Sequence, residues 1–248
     1  MTKLGTLDVG DQGFGGMALA EVYGPTDQDS ALRVLHHALD AGIRHIDTAD
    51  VYGAGSNERL VARLLRERTD TPIVATKLGI LSEPDADGFR ARGDAAYVRD
   101  RALASLARLG IERIERIDLL YYHRVDPRVP IEDTAGALAE LVSEGLVDQI
   151  GLSEVTASEL VRAYSVHPIA AVQSEWSVWS RDVEDSVIPT AARLGVGFVA
   201  YSPLGRGFLA APVTELAEGD LRRRFPRFGE GTLAENQDIG EAVRRIAA

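Results

Sequence analysis

The chain has 248 residues, 45% of them hydrophobic, and a formal net charge of -11 at pH 7. That length can bury a sizeable core, and the acidic balance repels polyanions, so neither nucleic acid nor a membrane surface is an expected partner. The absence of cysteine excludes disulfides, thiolate catalysis and Cys-ligated metal sites together, and with no apolar run of membrane-spanning length and no leader-like N-terminus the expected location is cytoplasmic.

After the glycine-rich opening GTLDVGDQGFGG, the apolar period predicts a helix from about Asp27 to Ala41, leading through Gly42 into the short run IRHID. SNERLVARLLRER reads as a second helix with Ser56 as its cap, and PIVATK follows as a strand. The alternation continues with YVRDRALASLARLG before IDLLYY, TAGALAELVSEG before LVDQIGLS, TASELVRAYSV before IAAVQSE, and VEDSVIPTAARLG before VGFVAYS. These strands are short, poor in charge and rich in β-branched residues, as parallel strands covered on both faces are.

Strands centred near Phe14, Ile46, Val74, Leu119, Ile150, Val172 and Phe198 make about seven. A closed (β/α)8 TIM barrel needs one more, although its usual length is about 250 residues. The expectation is therefore an α/β barrel in a single domain over residues 1–248, ending before its eighth strand, with a last helix starting near Asn236. The competing doubly wound sheet would carry GxGxxG after its first strand, and GDQGFGG lacks that spacing.

Four polar residues fall at carboxyl ends of expected strands: Asp47 with nearby Tyr52, Lys77, and His123. In a parallel barrel those ends gather on one face, where active sites are built. Such a cluster suits carbonyl reduction, which needs a hydride from a cofactor and a proton from a positioned group. A tyrosine near pKa 10 is a poor partner at neutral pH unless a lysine lowers it, by about two to three units, while an aspartate anchors the lysine.

Each residue also has a plainer reading. Asp47 can cap a turn, Tyr52 can cover the barrel mouth, Lys77 can be a solvated strand end, and His123 can pair with Asp126 through HRVD. Joint placement on one face weighs against all four. No metal site is expected, since His36 and His37 lie in a helix, His45 is read as alternating away from Asp47, and His167 precedes Pro168. Glu154 and Glu175 leave a glycosidase-like carboxylate pair open, which would leave the tyrosine and lysine unexplained.

DTADVYG with Asn57 and Glu58, ATKLG, IDLLYYHRVD, LVDQIGLSE, AAVQSEWSVWSR and GFVAYSPLGRGFL resemble, in order and spacing, the signatures of the aldo-keto reductase superfamily, in particular its bacterial and plant oxidoreductases. The resemblance implies a (β/α)8 barrel that reduces a small-molecule aldehyde or ketone with NADPH and no metal. It puts the catalytic aspartate, tyrosine, lysine and histidine on Asp47, Tyr52, Lys77 and His123. It assigns Ser153 and Gln173 to the nicotinamide carboxamide, Trp176 to stacking on the ring, and Ser202, Leu204, Gly205 and Arg206 to the pyrophosphate. Loops near Tyr23, Phe89 and Trp176 would shape the substrate pocket.

Two departures from the family pattern stand out. The doubled IER of RLGIERIERID lengthens a helix-to-strand connection. The family's closing segment, with the eighth strand and a basic loop for the 2′-phosphate, is missing, so two sheet edges would be open. A second copy in a homo-oligomer would cover them. The missing segment also supports an alternative function, a non-catalytic nicotinamide-binding sensor or auxiliary subunit acting through a protein partner. The intact catalytic set opposes it.

Overall fold

The computed structural model describes residues 2–88, 90–110, 116–213, 215–229 and 231–247. A small hairpin, β1 (Lys3–Leu4) and β2 (Leu7–Asp8), precedes β3 (Phe14–Gly15), α1 (Gln28–Asp40), β4 (His45–Asp47), α2 (Ser56–Glu67) and β5 (Ile73–Leu78). The alternation continues through α3 (Ala95–Leu109), β6 (Ile117–Tyr122), α4 (Ile131–Ser143), β7 (Val147–Ser153) and α5 (Ala157–Val166). It ends with β8 (Ala171–Glu175), α6 (Val187–Leu194), β9 (Gly197–Tyr201) and α7 (Thr232–Ala247).

Strands β3 to β9 form one seven-stranded parallel sheet in chain order. It curls into a nearly closed barrel flanked by helices, with β3 and β9 as its edges. This is the expected (β/α)8 architecture with seven strands among the described residues.

The strand period of two sorts the side chains into layers. Val74, Leu78, Leu120, Tyr122, Ile150 and Val172 pack outward against helix residues such as Leu35, Leu64, Leu106 and Leu138. Ala75, Leu119, Tyr121 and Ala171 point inward and meet Leu4, Leu7 and Val9, so the hairpin plugs one end of the barrel with apolar side chains. By the same count Lys77 follows Ala75 on the inner face, one step nearer the carboxyl end.

Local chemistry fixes where the helices start. The Asp27 carboxylate accepts from the Ser30 amide at 2.8 Å, Asp94 caps α3 in the same way, and Thr156 with Glu159 forms a capping box on α5. Ser56 is not a cap. It is already helical, and Gly55 precedes it in the left-handed region at φ 86° without any side-chain cap. Helix α7 starts at Thr232, ahead of Asn236. Residues 111–115 of the doubled IER connection lie outside the described residues. Among the described residues, no helix is long and apolar enough to cross a membrane.

Candidate active site

The carboxyl ends of the strands surround a cavity of about 830 Å³. Strand β4 delivers Asp47 to it, the turn that follows delivers Tyr52, and His123 comes directly after β6, while β5 places Lys77 behind Asp47 and Tyr52 without lining the cavity. Lys77 is 1% exposed. Its Nζ donates to the Asp47 carboxylate, to the Thr48 carbonyl at 2.9 Å and to the Tyr52 hydroxyl at 3.3 Å, which employs all three ammonium protons. The other Asp47 oxygen accepts from Gln173 Nε2 at 2.9 Å. Asp47 is thus a counter-ion rather than a turn cap, and Lys77 is not a solvated strand end.

The Tyr52 ring stands edge-on to the His123 imidazole, with centroids 6.0 Å apart, and Lys77 Nζ lies 5.0 Å from the Tyr52 ring centre. The His123–Asp126 pair suggested by HRVD does not form. Asp126 accepts from Arg128 Nε at 2.8 Å, and the buried Nδ1 of His123 has no protein partner.

Tyr52 departs from the expected electrostatics. Burial raises its phenol above the usual value of 10.0, and the downward pull of Lys77 is partly cancelled by Asp47. Lys77 alone would lower the phenol, but a buried lysine needs a counter-ion, and that counter-ion acts on the tyrosine too. For Lys77, burial disfavours the charge, yet contact with Asp47 and Tyr52 leaves its pKa above the usual 10.5. His123 is held neutral, since burial, Lys77 and Arg124 all push its imidazole well below 6.5.

The expectation that His45 alternates away from Asp47 fails. Residues two apart on a strand share a face, and His45 is buried beneath Asp47, its pKa lowered by burial and by Lys77 while Asp47 opposes. Glu154 and Glu175 form no open carboxylate pair. Glu154 accepts from the Glu175 amide at 2.9 Å, Glu175 pairs with Arg227 at 2.8 Å, and neither lines the cavity. Among the described residues, no group of three or more His, Asp or Glu could hold a metal ion.

Of the residues expected to hold a cofactor, Ser153 and Gln173 are register partners on β7 and β8 and both face the cavity. Ser202, Leu204 and Arg206 line it as well. Their turn is unusual, with Ser202 at φ 50° and Arg206 at φ 59°, left-handed conformations that side-chain-bearing residues rarely adopt. Gly205, at φ 58°, does not line the cavity but sits against Trp179, and a Cβ there would lie 2.5 Å from the indole. Arg206 is buried between Glu175 at 3.5 Å and the Phe225 ring, 4.2 Å from its centre.

Trp176 lies elsewhere. It is 39% exposed, its Nε1 donates to Glu184 at 2.7 Å, and its ring packs edge-on to Phe198 outside the cavity lining. The aromatic that ends a strand and lines the cavity is Tyr201. Sequence reasoning missed it, although the period of two carries the signal: Val199 packs against the inner apolar cluster, so Tyr201 falls on the same face. Arg124, beside His123, was also missed, and its guanidinium donates to Ser153 Oγ at 3.1 Å. Tyr23 lines the cavity, while Phe89 is outside the described residues.

The family model for the aldo/keto reductase family matches residues 12–248. Among solved structures, the glycerol dehydrogenase from Gluconobacter oxydans is similar with a TM-score of 0.81 and 30% identity, over 95% of this chain and 73% of that one. An aldo-keto reductase from Bacillus halodurans in its holo form is similar with a TM-score of 0.75 and 28% identity, over 100% of this chain and 90% of that one.

Proposed function

The chain belongs to the aldo/keto reductase family, a family of oxidoreductases, and from that premise we propose that it reduces an aldehyde or ketone to the alcohol with NADPH, Tyr52 giving the proton. The observation that carries this reading is the 3.3 Å contact between the Tyr52 hydroxyl and a fully engaged, buried Lys77 at the edge of an open cavity.

The lining residues fit a dinucleotide. The left-handed turn from Ser202 to Arg206, the buried and unpartnered Nε of Arg206, and several arginines on the lining suit a long anionic ligand. Ser153 and Gln173 would hold the carboxamide, and Tyr201 would take the ring-facing role that the family resemblance had put on Trp176. Ser202, Leu204 and Arg206 would take the pyrophosphate, with Gly205 setting their turn. When bound, the dinucleotide supplies the hydride.

The protein's own groups handle the proton. Tyr52 holds it at the hydroxyl at neutral pH, because burial outweighs the pull of Lys77, and therefore meets a carbonyl oxygen as a donor. As that oxygen gains charge, Tyr52 releases the proton and the ammonium of Lys77 stabilises the phenolate left behind. Asp47 keeps Lys77 charged and in place. The neutral His123 can hydrogen-bond the same oxygen without adding a charge.

Replacing Tyr52 by Phe tests the assignment. Turnover should fall by about a hundred- to ten-thousandfold while NADPH binding, read by tryptophan fluorescence, persists. Unchanged turnover in Tyr52→Phe would remove Tyr52 from the mechanism.

A further inference from the structure

Among the described residues, five arginines, at positions 90, 124, 206, 222 and 224, line the cavity of this acidic protein, together with one carboxylate, Asp47, already neutralised by Lys77. Arg206 is paired with Glu175 and Arg222 with Asp220. Among the described residues, Arg90, Arg124 and Arg224 have no carboxylate partner, so the cavity carries uncompensated positive charge. A guanidinium on a largely apolar wall, without a counter-ion, is poised for an anionic group of a ligand.

These cations fall on two rims. Arg206, Arg222 and Arg224 follow β9, on the side of the turn assigned to the pyrophosphate. Arg124 follows His123 at the end of β6, and Arg90 sits on an antiparallel arm that leaves the end of β5 through the Ile80–Ala91 bridge. This second rim is the one that carries Lys77 and His123. Arg124 uses one nitrogen to donate to the His123 carbonyl at 2.6 Å and to Ser153 Oγ at 3.1 Å, both neutral acceptors. Its field acts on both Tyr52 and His123. It also adjoins the serine assigned to the carboxamide, the end of the dinucleotide that bears no phosphate.

We propose that the carbonyl substrate carries a carboxylate or similar anionic group, and that Arg124, with Arg90 at the cavity mouth, binds it. This rests on the carbonyl-reductase reading above and deepens it. A guanidinium held from one nitrogen keeps its remaining donors free for the paired hydrogen bonds that a carboxylate accepts. Anchored there, the anion holds the carbonyl against Tyr52 and His123, so Arg124 is a specificity-determining residue rather than a proton carrier.

The test compares 3-carboxybenzaldehyde with its methyl ester, two aldehydes that differ chiefly in charge, in NADPH-linked turnover and in calorimetric binding to the protein alone. We expect the acid to be preferred in both, Arg124→Gln to lower the acid-to-ester ratio about tenfold, and Arg124→Lys to restore part of it. A preference that fades at high salt would agree with a charge contact. Equal use of acid and ester by the unaltered protein, or a ratio untouched by Arg124→Gln, would overturn the anion site while leaving the reductase reading intact. Selective binding of the acid without turnover of either aldehyde would keep the anion site and overturn the reductase reading. Binding of neither would overturn the anion site as well.

Discussion

Lys77 Nζ lies 3.3 Å from the Tyr52 hydroxyl and is bound at the same time to the Asp47 carboxylate. The two contacts serve opposite needs. In the proposed mechanism the lysine must stay charged to steady a phenolate, and in a site this deeply buried only a counter-ion makes that charge tolerable. Burial raises the pKa of Tyr52, and the same counter-ion adds to that rise against the pull of Lys77, so in the proposed mechanism Tyr52 keeps its proton until a carbonyl oxygen gains charge beside it.

The triad therefore has a stability signature separate from catalysis. Lys77→Met leaves Asp47 with its hydrogen bond from Gln173 but no counter-charge, at a carboxylate only 14% exposed. The expected cost is about 3–5 kcal/mol in denaturant unfolding. Adding Asp47→Asn to Lys77→Met should recover most of it, because the pair is lost together, while turnover stays abolished. A Lys77→Met protein as stable as the parent would show that Asp47 is better solvated than the structure implies.

A second buried acid gives a pH-dependent prediction. Burial, with Glu58 beside it, pushes the Asp50 carboxyl up from 3.8 to about 7, against Arg101 and Arg108, and its Oδ1 has no partner. A raised carboxyl pKa means that the folded state holds the proton more tightly than the unfolded one. The ionisation penalty is therefore absent below pH 3.8, grows as the pH rises, and is complete above about 7. Asp50→Asn removes that penalty, so it should stabilise the protein by about 4 kcal/mol at pH 8, and by less at pH 5. Urea midpoints at the two pH values measure the difference, and a gain that did not shrink at pH 5 would refute the assignment.

Most of the fold was legible because each strand is a local apolar run and each helix between them shows its own apolar period, while side-chain caps fix the starts of α1, α3 and α5 at Asp27, Asp94 and Thr156. The convergence of Asp47, Tyr52, Lys77 and His123 was legible for a topological reason, since the carboxyl ends of parallel strands share one face. What was misread depends on direction and environment. Ser56 has the chemistry of a cap, but the left-handed Gly55 starts the helix one residue earlier. His45 was assigned to the wrong face by a miscounted period. Trp176 is drawn outward by Glu184 and Phe198, partners in contact with it in the fold but separated from it along the chain, so no local strand pattern announces them. The sign of the Tyr52 shift required the burial of the whole triad, which no linear spacing reports.

The exchange of Trp176 for Tyr201 as the cavity aromatic can be tested directly. Tyr201→Ala removes a ring from the lining, and loss of a stacking contact of about 1 kcal/mol weakens dinucleotide binding roughly fivefold. Trp176→Ala removes an indole that contacts Glu184 and Phe198 outside the cavity, so it should change NADPH affinity less than Tyr201→Ala does. NADPH titrations followed by calorimetry rank the two variants. A larger effect from Trp176→Ala would return the stacking role to the indole.

The turn after β9 yields a prediction in which backbone and packing effects can be separated. Gly205 has φ 58°, and an added Cβ would lie 2.5 Å from Cζ2 of Trp179. That indole cannot move freely, because it packs edge-on to Phe208 at 5.1 Å, which in turn packs on Phe228 at 5.4 Å. Gly219 has φ 85° but open space where its Cβ would go. Gly219→Ala should cost only the backbone strain of the left-handed region, about 1–2 kcal/mol. Gly205→Ala should cost that and about 1–3 kcal/mol more for overpacking against Trp179. It should also weaken NADPH binding, because Ser202, Leu204 and Arg206 sit on the same turn. Equal unfolding midpoints for the two variants would mean that the indole gives way, and that the turn is held by its backbone alone.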